Sequence, residues 1–363
     1  MTNNEIAVLN KIKSNFTASE IRSVSVRDTD NKANIIFGDK SEESRIRHNS
    51  VYSLRRKKSA IIEAQTEYSL KCAQYRIYPD TRLFPQGEMR CGKIVICNID
   101  DIEEVFDSDN TCAMTRDGVF FICANSINEA YKQLEIANLI ASICCNARSL
   151  ERELCVLDSR HIALYKLNVT LPLLEELDKE EIEGEREARE ALAEAISALY
   201  KENLFLDSNG AASCKISDTA FLITASDKER SSVTSDDIVL IHKGRREPGK
   251  HPSNSAALHK LIYDTNPDIN AIIISHPHYS MAYAACYCDI SLDTQAKELV
   301  QSFKRYPFGT TVMQPRLFAR GIEGSCGAFL IENDCLICYG RSMQEAILVT
   351  REIERCAKQL TTK

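Results

Sequence analysis

At 363 residues and a formal net charge of −7, the chain is too long for one ordinary domain and comfortable for two, and its acidic balance disfavours a nucleic-acid partner. Apolar content of 44% with a mean hydropathy of −0.26 is that of a globular protein, and the absence of any run of about 18 uncharged apolar residues excludes a spanning helix. The N-terminal stretch MTNNEIAVLNKIKSNF carries charges at short intervals, which argues against a secretory signal, so a cytoplasmic location with no membrane partner is the expectation.

Fifteen cysteines in a chain of that kind are expected to be reduced, buried thiols. In the first half the basic cluster Arg55–Lys58 reads as a solvated loop. The first half closes on TCAMTRDGVFFICANSINEAYKQLEIANLIASIC, and the second closes on SCGAFLIENDCLICYGRSMQEAILVTREIERCAK. Both run a hydroxyl residue, a cysteine, a strand, an aspartate turn (Asp117, Asp334), a second strand ending in Ile-Cys, then Ser-x-x-Glu-Ala opening a helix. The halves therefore read as degenerate repeats, with the first copy truncated and lacking a counterpart of the histidine-bearing strand described below.

Between them, Glu175–Glu190 holds nine acids against three bases and leads into Leu192, Ile196 and Leu199 at helical spacing. This seam divides the chain into 1–165 and 180–363. Beyond it, AFLITAS, DIVLIHKG, NAIIISHPH and GAFLIENDCLICYG read as strands, SAALHKLIYDT as a helix, and Ser342–Gln359 as a closing helix. The class is a layered α/β domain. Cys335 and Cys338 lie three apart in a strand, so they point to opposite faces and make a poor zinc knuckle. Tyr279, Tyr283 and Tyr287 recur four apart and predict a helix packing on the core.

His276 and His278 flank Pro277. If they continue the strand they point to one face, with Cα atoms roughly 6.5–7 Å apart, and Pro277 belongs at a strand end because it has no N–H for the ladder. They could share a cation or decorate a strand end; a metal site also needs a third ligand. His251 and His259 lie just upstream, the latter expected on the inner side of its helix.

Residues 185–358 resemble the class II aldolase/adducin family. NGAASCK is similar to the family's Gly-Asn-x-Ser-x-Arg loop, AFLITAS to its Ile-Thr-Pro-Ser turn, HPSNSAALHKLIY to its Pro-Ser-x-Glu helix start, NAIIISHPH to its His-x-His strand, and ENDCLICYG to its Asn-His-Gly strand. The resemblance implies an α/β/α domain with a central, mostly antiparallel sheet. It also implies a divalent cation, usually zinc, that polarises a small sugar-like or hydroxy-carbonyl substrate. Carried over by position, His276, His278 and Asp334 would hold the metal, and Ser213, Lys215, Ser226, Ser253 and Asn254 would line the substrate pocket.

Five positions depart from that pattern: Ala211 replaces an asparagine and Ala225 a proline of the phosphate loops, and three more change charge or chemistry. Ser255 stands where the family has its proton-transferring glutamate, Asp334 where it has its third histidine, and Asp227 where a phosphate loop has glycine. His251, or a tyrosine from a neighbouring subunit, would then have to move protons. The implied activity is a metal-dependent aldehyde-lyase or epimerase; the alternative is a catalytically inactive, adducin-like oligomerisation or binding module. The family also implies a homo-oligomer.

Overall fold

In the computed structural model, the described residues are 2–168, 174–177, 184–226 and 228–361. Residues 178–183 of the acidic connector and Asp227 lie outside them. The chain forms two compact units, Met1–Arg148 and Ser149–Lys363.

The first unit runs α1 (Asn3–Asn15), β1 (Ile21–Arg27), β2 (Ala33–Gly38), α2 (Glu42–Leu54), β3 (Ala60–Ala64) and α3 (Glu67–Tyr75). It continues with α4 (Pro85–Cys91), β4 (Ile94–Cys97), α5 (Ile102–Asp107), β5 (Cys112–Thr115), β6 (Phe120–Ala124) and α6 (Ile127–Ser149). The second unit runs α7 (Ser159–Asn168), α8 (Glu185–Lys201), β7 (Ala211–Ser217), β8 (Ala220–Ile223), β9 (Val239–His242), β10 (Arg245–Arg246) and α9 (Ala256–Thr265). There follow β11 (Ala271–Ser275), α10 (His278–Cys286), α11 (Thr294–Leu299), β12 (Ser302–Tyr306), α12 (Thr310–Met313), α13 (Pro315–Arg320), β13 (Gly327–Ile331), β14 (Cys335–Gly340) and α14 (Met343–Thr361).

The six-stranded sheet of the first unit has the order β2-β1-β3-β6-β5-β4, and the eight-stranded sheet of the second has β10-β9-β8-β7-β11-β14-β13-β12. Dropping β10 and β9 leaves the same order. The pairing sense also matches at every step, antiparallel throughout except for β4 with β5 and β12 with β13, which are parallel. The first unit is thus the same fold without two edge strands.

This corrects one sequence expectation: the first copy does have a counterpart of the histidine strand. It is β3, whose AIIEA-QTEYS aligns residue by residue with β11 in AIIIS-HPHYS. Gln65 stands at His276 and Glu67 at His278. The following helices α3 and α10 are both nine residues long, and both end on a left-handed residue, Arg76 (φ 54°) and Tyr287 (φ 52°). Sequence comparison missed the match because it sought histidines, whereas the fold needs only the buried Ala-Ile-Ile run that a central strand covered on both faces requires.

A second shared feature is a buried hydroxyl–imidazole–phenol contact. Ser25 on β1 meets His48 Nδ1 (2.6 Å) and Tyr52 OH (2.9 Å) from α2. Ser213 on β7 meets His259 Nδ1 (2.7 Å) and Tyr263 OH (2.6 Å) from α9. Histidine and tyrosine four apart lie on one helical face, so a single strand serine can fix the helix on the sheet. The cores agree with this layering. In the second unit Ile262 and Tyr263 of α9 and Phe318 of α13 pack with Ile223, Ile272, Phe329 and Ile337 on one sheet face, and α8, α10 and α14 cover the other.

Candidate functional site

The site forms where β11 stops. Ala271–Ser275 pairs with β7 on one side and β14 on the other, and the ladder ends because Pro277 cannot donate. Pro277 is the N-cap of α10 (φ −69°, ψ 142°) and His278 its first residue. His276 and His278 therefore flank a strand-to-helix junction and do not alternate along a strand, which removes the geometric reason for expecting their rings to be parallel neighbours. His276 is buried and His278 half-buried. Burial pushes the first down to about 3, with the nearby Arg230 cation adding to the effect, and the second down to about 4. Both rings are neutral at neutral pH, the state a metal ligand requires.

The N-terminus of α10 has no side-chain cap of its own, and Glu354 of α14 supplies one. Its Oε1 accepts from Tyr279 N–H (2.9 Å), and its Oε2 accepts from Ser280 N–H (2.8 Å) and Ser280 Oγ–H (2.7 Å). Burial nevertheless pushes this carboxyl up to about 7. Sequence reasoning missed Glu354; the available signal was a helix beginning Pro-His with no Ser, Thr, Asp or Asn before it, whose first N–H groups must find a partner elsewhere.

Asp334 sits in the turn between β13 and β14, where the left-handed Asn333 (φ 53°) donates from its side chain to Cys155 O (2.9 Å). Burial pushes the Asp334 carboxyl up to about 6. Because Ser275 pairs with Leu336, this turn lies at the same end of the sheet as His276. Even so, among the described residues no group of three or more histidine, cysteine, aspartate or glutamate side chains is arranged to hold a metal ion. The ring protonation suits a metal, while the described side chains are not arranged as a closed three-donor set in this structure.

The turn also sharpens the repeat. Gly118 N–H donates to Thr115 O (2.8 Å) as Asp334 N–H donates to Ile331 O (3.1 Å), so Asp117 corresponds to Asn333 and Gly118 to Asp334. In the first unit the cognate corner is tied by hydrogen bonds. Gln65 donates to Asp117 O (2.7 Å) and accepts from Arg22 (2.9 Å), while Thr66 caps α3.

The expected substrate residues separate into two sets. Ser226, Ser253 and Asn254 come together, since Ser226 N–H donates to His251 O (2.9 Å), Ser253 N–H donates to Thr224 O (2.9 Å), and Ala225 bridges Pro252. Ser213 is buried and held by His259 and Tyr263, and Lys215 donates to Pro267 O (2.7 Å) further along β7. Ser255, at the glutamate position, shares a 2.9 Å hydrogen bond with the Ser253 hydroxyl. His251 is exposed and His259 fully buried.

Arg230, absent from the sequence reading, organises these turns. Only 3% exposed, it donates to Gly210 O (3.1 and 2.8 Å), Ala225 O (3.2 Å) and Lys228 O. Gly210 has φ +102°, and a Cβ there would lie 2.8 Å from Phe205, so the loop accepts glycine alone.

Residues 190–361 match the family model for the class II aldolase and adducin N-terminal domain. Over those residues the second unit is similar to the class II aldolase and adducin family. Methylthioribulose-1-phosphate dehydratase of Bacillus mycoides (strain KBAB4) is 28% identical over 172 residues, covering 43% of this chain and 80% of that protein. The enzyme of the same name from Bacillus thuringiensis (strain Al Hakam) gives the same identity and coverage. Among solved structures, Klebsiella pneumoniae YgbL matches with a TM-score of 0.42 at 23% identity, over 49% of this chain and 90% of that one. L-fuculose-1-phosphate aldolase from Thermus thermophilus matches with a TM-score of 0.41 at 19% identity, over 48% and 93%.

Proposed function

We propose that the second unit is a binding member of the class II aldolase family that holds a small polyhydroxylated, phosphate-bearing compound and lacks metal-centred lyase chemistry. One observation carries this reading: the described residues bring together the turns of Gly210, Thr224–Ser226 and Ser253–Asn254, yet they close no three-donor metal set. Ser255 supports it, because a hydroxyl bonded to another hydroxyl is no base at neutral pH. Backbone N–H groups and small hydroxyls at such turns suit an anionic group. The ligand class follows the names of the relatives, which act on a ribulose phosphate derivative.

A second reading is a divalent-metal lyase, a carbon–oxygen lyase like the dehydratases or a carbon–carbon lyase or epimerase. It is favoured by the two neutral imidazoles at one strand end with Asp334 beside the same end. Zinc would suit such a nitrogen and oxygen set, held by His276, His278 and Asp334. Both readings take a homo-oligomer in the cytoplasm, with no nucleic-acid or membrane partner.

Elemental analysis of the wild type and of His276→Ala/His278→Ala separates them, joined to thermal shift with a panel of ketose phosphates and a dehydratase assay on methylthioribulose 1-phosphate. A ligand-dependent rise in Tm without stoichiometric metal or turnover is the expected result. Stoichiometric metal that disappears in the double variant, together with turnover, favours the lyase. Light scattering giving a monomer counts against the oligomer.

A further inference from the structure

At its other end α10 carries two thiols that the site above does not use. Cys286 is its last residue, Tyr287 follows in the left-handed conformation (φ 52°), and Cys288 comes next. This reversal folds the chain so that the two sulfurs hydrogen-bond each other, and both are half-buried. Cys288 lines a surface pocket of ≈ 310 Å³ with Leu150, Arg152, Tyr283 and Asp289.

The fold does not demand these cysteines. In the first unit the same helix, with the same length and the same left-handed cap, has Tyr75 and Ile77 in their place. We propose that Cys286 and Cys288 form a thiol–disulfide exchange site that reacts with small-molecule disulfides from solvent. Its chemical support is the state of Cys288, pushed down to about 7 by the hydrogen bond from Cys286 and by the Arg152 and Arg305 cations, against burial and Asp289. At neutral pH such a thiol is substantially thiolate, the attacking form. Asp289 is itself paired with Arg305 at 3.0 Å.

The Cys288 thiolate attacks one sulfur of the small disulfide. That S–S bond breaks, a mixed disulfide forms and one small thiolate leaves. Cys286 then gives its proton to solvent and attacks the Cys288 sulfur, forming the Cys286–Cys288 bond and releasing the second small thiol. Two protein thiols are oxidised and one disulfide is reduced to two thiols.

The test treats the full chain at neutral pH with oxidised glutathione and maps the products by mass spectrometry. The expected result is a Cys286–Cys288 disulfide reversed by dithiothreitol, a stable single adduct on Cys288 in Cys286→Ser, and no such adduct in Cys288→Ser. In Arg152→Ala the reaction slows by about threefold or more, because a cation that favours the thiolate is gone. Circular dichroism confirms that each variant is folded. Reaction of the half-buried Cys155 or Cys214 as fast as Cys288, a Cys155–Cys288 bridge, or a folded Cys286→Ser without an adduct on Cys288 overturns the proposal.

Discussion

Gly210 is the residue at which local conformation and site assembly meet. Its positive φ and the 2.8 Å approach to Phe205 make Gly210→Ala strained in backbone and side chain alike, with an expected loss of about 1–3 kcal/mol by urea denaturation. An unchanged midpoint would show that the loop relaxes freely. His259 makes a different kind of prediction. Burial holds its pKa at about 3 against an ordinary 6.5, so between those values the unfolded chain binds the extra proton and stability falls as pH drops from 6.5 toward 3. Glu63 acts in the same direction over a lower window: its carboxylate, held down to about 2 by His48 and Arg47 despite burial, loses its stabilisation as pH falls from 4.5 toward 2. None of these roles is visible in composition. Yet the shared spacing of His48 with Tyr52 and His259 with Tyr263 stood in the sequence, and would have aligned α2 with α9 directly.

At the scale of elements, α10 depends on a carboxylate from α14, separated from it by 74 residues in sequence. The Glu354 pKa is raised from 4.5 to about 7, so its contribution is fully present below pH 4.5 and is lost as pH rises through 7. Comparing denaturation at pH 5 and pH 8, Glu354→Gln should remove a wild-type decline on the order of 1–3 kcal/mol. An identical pH response in wild type and variant would mean that Glu354 titrates normally. In the first unit the same junction uses Thr66 as cap, and Gln65 joins the strand end to the neighbouring turn. Gln65→Ala should therefore cost about 0.5–1.5 kcal/mol of stability, with no effect on ligand-induced Tm shifts if binding belongs to the second unit. Loss of the ligand shift in that variant would assign the first unit a part in binding. The strand identities were legible at this scale because apolar runs bounded by turn residues mark strands. The end of β11 was read three residues too far, since His276 and His278 look alike in sequence while the chain between them changes from strand to helix.

For the whole molecule, the two sheets explain why the repeat was readable at its C-terminal edge and obscure elsewhere. The last two strands and the helix after them keep their turn and helix-start residues because those positions fix backbone geometry. The β3 and β11 corner keeps only apolar residues and helix length, so Gln-Thr-Glu and His-Pro-His occupy one structural position in two chemistries. The family resemblance found the second unit for the same reason: it rests on turn and strand residues of the fold.

Taken alone, the sequence determined the α/β class, the repeated strand pattern and the candidate residues, because periodicity and turn chemistry are local properties of a chain. Only the tertiary structure decided which candidates meet. Convergence of side chains depends on strand register, helix start and burial, all set by residues far away in sequence. Ser213 was drawn into the core by His259 and Tyr263, and Glu354 was carried to the start of α10 by the packing of α14. His276, His278 and Asp334 were left at one sheet end without closing a metal set among the described residues.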